Sequence, residues 1–201
     1  MTVKDPGPFY RTIVIISGAP GVGKTTIARP LARALGMPLF AKDSIKERIH
    51  DVLAETEPVG PGPVEADLVS AGLVEAGWSR RLGAAAMELL WVLAADAPEC
   101  VLEANFWTGH ERQNASLRAL SKGGKLVEVY CTAPKEVVMR RFRERAAAGE
   151  RHAVHPAQEL TSERWEADFH APIGIGTLLT VDTSTPVDVA RVAAEVRALL
   201  A

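Results

Sequence analysis

The residues best suited to chemistry form a glycine-rich stretch that ends in Lys24-Thr25. It follows the apolar run Ile13-Val14-Ile15-Ile16 and precedes apolar residues at helical spacing, so a strand, a tight turn and a helix succeed one another. Glycines let the backbone approach an anion closely, and free N–H groups at a helix N-terminus converge on phosphate oxygens. Lys24 can reach the outer phosphates, and the Thr25 hydroxyl can bind Mg²⁺. The predicted nucleotide-binding residues here are Gly18, Ala19, Pro20, Gly21, Val22, Gly23, Lys24, Thr25 and Thr26.

Asp43 is the candidate for accepting a proton from a substrate hydroxyl. Ser44 and Glu47 have the spacing of a capping box, which predicts a helix that begins after Ser44 and leaves Asp43 at the end of a strand. In open α/β sheets, ligands bind at the carboxyl ends of the strands. The alternatives are that Asp43 is itself the helix cap or is a solvated loop acid.

Glu103 lies inside the apolar run 100–105, which predicts a strand buried on both faces. A buried carboxylate is costly unless it is paired, hydrogen-bonded or near a metal. We therefore expect Glu103 either to hold Mg²⁺ together with Thr25 or to pair with a lysine or arginine. In the loop that follows, Asn105 is a candidate for hydrogen bonding to a substrate, and Trp107 either encloses the substrate or packs against the protein.

Basic residues gather in the last third of the chain. Arg141 and Arg145 are four residues apart and flank the apolar stripe of a helix that starts after Pro134, so we expect both to point toward a bound nucleotide. Arg151 lies in a small-residue and basic loop that can close over phosphates and stabilise a transferred phosphoryl group. His152 and His155 lack the four-ligand set of a structural zinc site, so no zinc is expected there.

The composition favours a globular enzyme over a protein that binds polyanions broadly. The chain has 201 residues, 47% of them hydrophobic, and a formal net charge of −2. That charge argues against general attraction to nucleic acids or membranes. Cys100 and Cys131 lie in apolar runs and are expected to be reduced core residues of a cytoplasmic protein. No apolar run approaches the length that spans a bilayer.

These residues need a scaffold, and the pattern supplies one. Strands are expected at about 12–18, 37–41, 100–105, 126–131 and 177–182, with helices between them. Alternating strands and helices predict an α/β fold with a parallel sheet covered on both faces. Two helices are expected at about 64–76 and 79–95, and a final helix at 187–200.

The glycine-rich stretch, Asp43, Glu103 and the arginine pair together resemble the P-loop kinases, a group that includes adenylate, shikimate and gluconate kinases, chloramphenicol phosphotransferase and zeta toxin. The nearest overall resemblance is to small AAA family ATPase kinases of actinomycete type. The resemblance implies a three-layer P-loop fold with strand order 2-3-1-4-5. It also implies one kinase domain over residues 1–201, with the core at 11–54 and 97–201, a helical substrate lobe at 55–96 and a lid at 146–160.

The resemblance further implies site roles. Arg141 would stack on adenine, Arg145 would touch phosphate, and Thr183 would lie in the loop beside the adenine. Two features depart from the usual group pattern: position 103 is glutamate where aspartate is usual, and no nucleotide-monophosphate signature is present.

Three functions follow from this pattern. The first is an enzyme, a kinase that uses ATP and Mg²⁺ to phosphorylate a hydroxyl of a small molecule such as an antibiotic, nucleoside or sugar, acting as a monomer or homodimer. The second is a nucleic-acid 5′-hydroxyl kinase, disfavoured because residues 55–77 carry five acids and no lysine or arginine. The third is a nucleotide-binding ATPase that works through a partner protein.

Overall fold

The computed structural model describes residues 10–56, 73–149, 152–155, 163, 165–169 and 171–201. Its strands are β1 (Thr12–Ser17), β2 (Leu39–Ala41), β3 (Glu99–Glu103), β4 (Lys125–Thr132) and β5 (Thr177–Asp182). The α-helices of the described part are α1 (Lys24–Leu35), α2 (Lys42–Thr56), α3 (Leu73–Asp96), α4 (Glu111–Leu120), α5 (Lys135–Ala147) and α6 (Val189–Leu200). A π-helical turn spans Trp165–Phe169.

The five strands form one sheet in the order β2-β3-β1-β4-β5, and all strand pairs are parallel. The predicted α/β class, parallel sheet and strand order are therefore confirmed. Because β1 is central, its carboxyl end lies between those of β3 and β4. The loop that follows β1 thus opens at the edge where ligands bind in such sheets.

Alternation along β1 explains why the sheet is covered on both faces. Val14 and Ile16 pack in one buried cluster with residues of α1 and α6, whereas Ile13 and Ile15 pack in the other with residues of α3 and α4. All four side chains are fully buried. A central strand buried on both faces reads as a continuous apolar run, which is what the sequence has at 13–16.

α3 corrects one expectation of the sequence. Instead of a helix ending near residue 76 and another starting at 79, one helix runs through Gly77 and Trp78 to Asp96; the predicted start at residue 64 lies outside the described residues. A helical glycine costs about 1 kcal/mol relative to alanine, and packing can offset that cost. Here one side of the helix is buried along its length, at Leu82, Ala86, Leu90 and Ala94, and the last two join the cluster that covers one face of the sheet.

The start of α2 is a second correction. β2 ends at Ala41 and α2 begins at Lys42 with no intervening loop, so Ser44 is inside the helix and is not its cap. Glu47 does not complete a capping box, because its carboxylate hydrogen-bonds the ring of His155. Asp43 consequently lies in the first turn of α2, where the helix dipole favours a negative charge.

Both cysteines are free and buried, as expected. Burial raises the pKa of the Cys100 thiol and of the Cys131 thiol to about 12. Within the described residues, no helix combines the length and the apolar character that crossing a membrane requires.

Candidate functional site

The glycine-rich loop packs closely against the end of β4 and leads directly into α1. Gly18 has φ +122°, and a Cβ there would lie 2.4 Å from the carbonyl oxygen of Cys131 at the end of β4. Gly23 has φ +105° and immediately precedes α1. Both backbone angles are rarely adopted by residues with side chains. The loop conformation that exposes N–H groups at the start of α1 therefore depends on glycine at these two positions.

Lys24 lies beneath this loop. Its Nζ donates hydrogen bonds to the carbonyl oxygens of Gly18 at 2.8 Å and Ala19 at 2.9 Å, and only 6% of the residue is exposed. Burial lowers the pKa of Lys24, and the nearby charge of Glu103 opposes that shift. The ammonium group is thus held against the loop, where an anion bound by the loop would lie next to it.

Thr25 and Glu103 meet where β3 ends. The Thr25 hydroxyl donates to Glu103 Oε1 at 3.0 Å. Burial raises the pKa of Glu103, and the charge of Lys24 and the Thr25 hydrogen bond oppose that shift. Hydroxyl and carboxylate oxygens beside a phosphate loop are the donor chemistry that Mg²⁺ uses. The structure thus brings the two predicted metal ligands together, and their role in binding metal remains a prediction.

Asp43 faces the same space from α2. Its Oδ1 accepts a hydrogen bond from Lys42 Nζ at 3.0 Å, and 41% of its side chain is exposed. Burial raises the pKa of Asp43, but the charge and hydrogen bond of Lys42, together with the charge that His155 carries when it is protonated, outweigh that effect, so the pKa lies below its usual value. Asp43 is therefore an ionised carboxylate at neutral pH, with oxygen lone pairs that can accept a proton.

A cleft of about 630 Å³ joins these groups. One wall is the phosphate loop with Lys24, Thr25 and Glu103, and the opposite wall is built by α2 and α3. The residues that α3 contributes are Ser79, Arg80, Gly83, Ala84, Met87, Glu88 and Trp91. The cleft is large enough for a small-molecule ligand, whose sites usually measure a few hundred cubic ångströms.

Asn105 and Trp107 also line the cleft, in the loop after β3. Trp107 is 37% exposed, and the centroid of its ring lies 5.3 Å from that of His110. Trp107 therefore leaves part of its ring open to the cleft. His110 caps α4, because its side chain accepts the N–H of Gln113.

The two arginines of α5, Arg141 and Arg145, make different contacts. Arg145 is exposed and lines the cleft, whereas Arg141 donates to the carbonyl oxygens of Thr183 at 2.9 Å and Ser184 at 3.1 Å. Of the pair, Arg145 lines the cleft, and a direction toward a bound nucleotide remains a prediction for both. The loop after β5 presents two backbone carbonyls to the Arg141 guanidinium, which can donate to both.

Thr183 is buried beside the phosphate loop. Its Oγ1 lies 2.6 Å from the carbonyl oxygen of Val22 and 2.9 Å from that of Thr132. This contact joins the loop after β5 to the phosphate loop. A role for Thr183 or Arg141 in binding adenine remains a prediction.

Part of the predicted site is outside the described residues. Arg151 is there, as are residues 57–72 of the predicted substrate lobe and residues 156–160 of the predicted lid.

Lys46 and Gln113 are among the cleft residues that were not predicted. Lys46 lies three residues after Asp43, hence on the same side of α2, and this spacing was the available signal. It is 4% exposed, and its Nζ donates to Ser79 Oγ at 2.7 Å. Gln113 is buried and pairs its side-chain amide with the backbone of Trp107, accepting from its N–H at 3.2 Å and donating to its carbonyl at 3.3 Å. No local pattern announces that contact.

Comparison with known proteins agrees with this geometry. Uncharacterized proteins of Mycobacterium tuberculosis and Mycobacterium bovis are 24% identical over 156 residues, which are 78% of this chain and 30% of theirs. The chain thus spans less than a third of the length of these curated relatives.

Solved structures share the fold. A provisionally assigned kinase from Chloroflexus aurantiacus superposes with a TM-score of 0.72 and 28% identity, covering 95% of this chain and 99% of that one. The APS kinase of Mycobacterium tuberculosis, solved with AMPPNP and APS, gives 0.51 and 22%, covering 96% and 99%. Shikimate kinase from Aquifex aeolicus gives 0.51 and 16%, covering 93% and 94%. The last two comparisons bear on the fold alone.

A family model described as an AAA domain matches residues 13–171, which include the phosphate loop, Asp43, Glu103 and α5. The match covers well over half of the chain. The chain therefore belongs to this AAA domain family, and its fold is that of the P-loop kinases.

Proposed function

We propose that this protein transfers the γ-phosphoryl group of Mg²⁺-bound ATP to a hydroxyl group of a small molecule. The observation that carries the proposal is that Lys24 of the phosphate loop and the carboxylate of Asp43 line one cleft. Phosphoryl transfer requires positioning and charge stabilisation more than covalent chemistry by the protein. A cation on the phosphate side and a carboxylate on the acceptor side are suited to those two needs.

In this mechanism the acceptor oxygen forms a bond to the γ-phosphorus while the bond from that phosphorus to the β–γ bridging oxygen breaks. Asp43 takes the proton of the acceptor hydroxyl. Lys24 and Arg145 stabilise the negative charge spread over the transferring oxygens. The leaving group is ADP, whose phosphate oxygen is acidic enough to leave without being protonated, so no second proton donor is needed.

Thr25 and Glu103 are the residues that would hold Mg²⁺. Bound there, the ion would neutralise phosphate charge and orient the phosphate chain. Lys24 and the loop N–H groups bind the phosphates from the other side. The two hydrogen bonds from Lys24 Nζ to the carbonyl oxygens of Gly18 and Ala19 also hold the loop in its conformation before the nucleotide binds.

The acceptor side of the cleft combines apolar and charged surface. Met87, Trp91 and Trp107 supply apolar and aromatic surface, whereas Lys42, Lys46 and Arg80 supply positive charge. Such a mixture suits a ring-bearing hydroxyl compound of limited size. An antibiotic, a nucleoside or a sugar fits this description.

The test is transfer of labelled γ-phosphate from Mg²⁺·ATP into a pooled panel of aminoglycosides, nucleosides, sugars and 5′-hydroxyl oligonucleotides, read by mass shift. A phosphorylated small molecule, absent with Lys24→Met protein, supports the proposal. Labelled oligonucleotide alone would move the assignment to a nucleic-acid kinase. Phosphate release above background with no labelled acceptor would move it to an ATPase that works through a partner.

A further inference from the structure

Two histidine–carboxylate pairs join residues 152–155 to α2. His155 Nε2 lies 2.9 Å from Glu47 Oε1, and His152 Nε2 lies 2.8 Å from Asp51 Oδ1. The two acids are four residues apart, so they lie on one side of α2, one turn from each other. Asp43 is one further turn toward the start of the same helix. The three carboxylates therefore form a row whose first member is the proposed proton acceptor.

The hydrogen bonds of His152 bear on whether the second pair belongs to a metal site. His50, Asp51 and His152 bring ligand atoms within 4.8 Å of one another, which is compatible with a metal ion by distance alone. However, His152 Nδ1 accepts the N–H of Val154 at 3.2 Å, so the proton of a neutral ring is on Nε2 and faces Asp51. That nitrogen donates a hydrogen bond and has no lone pair to offer a metal.

His155 differs from His152 because it lines the cleft together with Asp43. The charged groups of α2 that act on it are Glu47, Asp43 and Lys46, and the ring of His152 packs against it edge-on at a centroid distance of 6.4 Å. Burial lowers the pKa of His155, the hydrogen bond with Glu47 and the charge of Asp43 oppose that shift, and Lys46 adds to it. The net pKa lies below its ordinary value, so His155 is neutral at pH 7 and positively charged only in more acidic solution.

We propose that His155, held by Glu47, is a positioning residue of the acceptor site whose protonation weakens Asp43 as a proton acceptor and thereby sets the acidic limit of phosphoryl transfer. This inference rests on the proposed function. The physical reason is that a positive charge beside a carboxylate stabilises its ionised form, so the carboxylate binds a proton less strongly. When His155 is neutral, it does not lower the proton affinity of Asp43 beyond the effect of Lys42.

The kinetic test compares kcat between about pH 5 and pH 8 in the wild type and variants. The wild-type kcat falls on the acid side by up to about tenfold per pH unit, as expected for one protonation. His155→Gln keeps a hydrogen-bonding side chain of similar reach but cannot titrate, so this acid limb moves to lower pH. Glu47→Gln removes a group that raises the His155 pKa, so the limb moves in the same direction while His155 is still present.

His152→Gln is the matched control. It removes a histidine of the same segment that pairs with α2 but does not line the cleft, so the acid limb stays at its wild-type pH. A limb that is unchanged in His155→Gln overturns the proposal. So does a limb that moves equally in His152→Gln, because that result would indicate a structural effect of the segment.

A second readout does not require activity. The ¹⁵N ring shifts of His155, followed by NMR in the full chain without nucleotide, report its protonation directly. The expected result is a lower midpoint in Glu47→Gln and in Asp43→Asn than in the wild type. Midpoints that do not change overturn the coupling even if the enzyme is a kinase. A panel with no phosphorylated acceptor overturns the proposed function instead, and the NMR midpoints still decide whether the groups are coupled.

Discussion

The Thr25 hydroxyl and the Glu103 carboxylate are 3.0 Å apart, although 78 residues separate them in the chain. Register explains the contact. Ile16, near the end of β1, pairs with Glu103 at the end of β3, so Thr25 in the first turn of α1 and the last residue of β3 arrive at the same edge of the sheet. The parallel pairing of β1 and β3 thus brings the hydroxyl oxygen of Thr25 and a carboxylate oxygen of Glu103 together beside the phosphate loop.

The first prediction concerns this pair. Glu103→Gln keeps a hydrogen-bond acceptor for Thr25 but removes the negative charge, so the Mg²⁺ concentration for half-maximal transfer is expected to rise at least about tenfold. Nucleotide binding without metal should change little. Magnesium titrations of activity and calorimetry with metal-free nucleotide measure the two effects. Glu99→Gln, an exposed acid on the same strand, is the control, and an equal effect there would remove Glu103 from the metal site.

The second prediction gives the pH dependence of the same site. Burial raises the pKa of Glu103, so protons compete with Mg²⁺ for its carboxylate in mildly acidic solution. Apparent Mg²⁺ affinity should therefore rise with pH and level off once Glu103 is fully ionised. Magnesium titrations at several pH values test this. The dependence should be absent in Glu103→Gln; if it persists there, another group titrates.

The third prediction concerns Asp43. Asp43→Asn cannot take a proton from the acceptor hydroxyl, so kcat should fall by about 10²- to 10⁴-fold while ATP affinity stays near wild type. Phosphorylated acceptor is measured by mass shift and ATP binding by calorimetry. Asp96→Asn, at the end of α3 and away from the cleft, should transfer normally. If Asp43→Asn transferred phosphate at the normal rate, Asp43 would not be the proton acceptor and would only stabilise the start of α2.

The fourth prediction separates the two arginines of α5. Arg141→Ala leaves the carbonyls of Thr183 and Ser184 without a charged donor, so the free energy of unfolding should fall by about 1.5–3 kcal/mol. Arg145→Ala should leave stability close to wild type and lower kcat by about 10²-fold or more, because its charge faces the cleft. Urea unfolding and transfer kinetics measure the contrast. Arg143→Ala, exposed on the same helix, should change neither quantity, and equal stability losses in all three variants would contradict the assignment.

The fifth prediction concerns Glu128, which is fully buried in β4 and accepts hydrogen bonds from three groups. Ser17 Oγ donates at 2.6 Å, and the N–H groups of Ile173 and Gly174 donate at 2.8 and 3.1 Å. Glu128→Ala leaves these donors unpaired, at about 1–3 kcal/mol for each one that water does not reach. Urea unfolding should show the loss. Glu128→Gln retains one acceptor oxygen and should lose less; the reverse order would show that the hydrogen bonds do not determine stability here.

The parts of the fold that were predictable rest on local chemistry. The run 13–16, the glycines and Lys24 lie within about a dozen residues, and their pattern predicts the strand, the loop and the helix without tertiary information. A carboxylate inside an apolar strand needs a metal or a partner, which is why Glu103 was a candidate to hold Mg²⁺ together with Thr25. Glu128 carries the same signal in the next strand, but only the structure shows that its partners are the Ser17 hydroxyl and two backbone N–H groups near residue 173.

The contacts that the sequence did not reveal involve partners distant in the chain, and one of them accompanies the failure of the predicted capping box. Ser44 and Glu47 have capping-box spacing, yet Glu47 is bound to His155, which is 108 residues away. The direction of Arg141 depended on carbonyls of the loop after β5, which are 42 and 43 residues away. Local spacing places these side chains on a helix face, but it does not identify the contact that each one makes.

α3 carries two stripes that serve different purposes. Leu90 and Ala94 join the buried cluster on one face of the sheet, while Arg80, Ala84 and Glu88 line the cleft and lie outside both buried clusters. Under the proposed function, acceptor preference would be redesigned by varying these three positions of a single helix, with the core-facing side and the phosphate loop left intact. A combinatorial library there would sample new acceptors on an unchanged scaffold, which would make this helix an exchangeable module for engineering phosphotransferases.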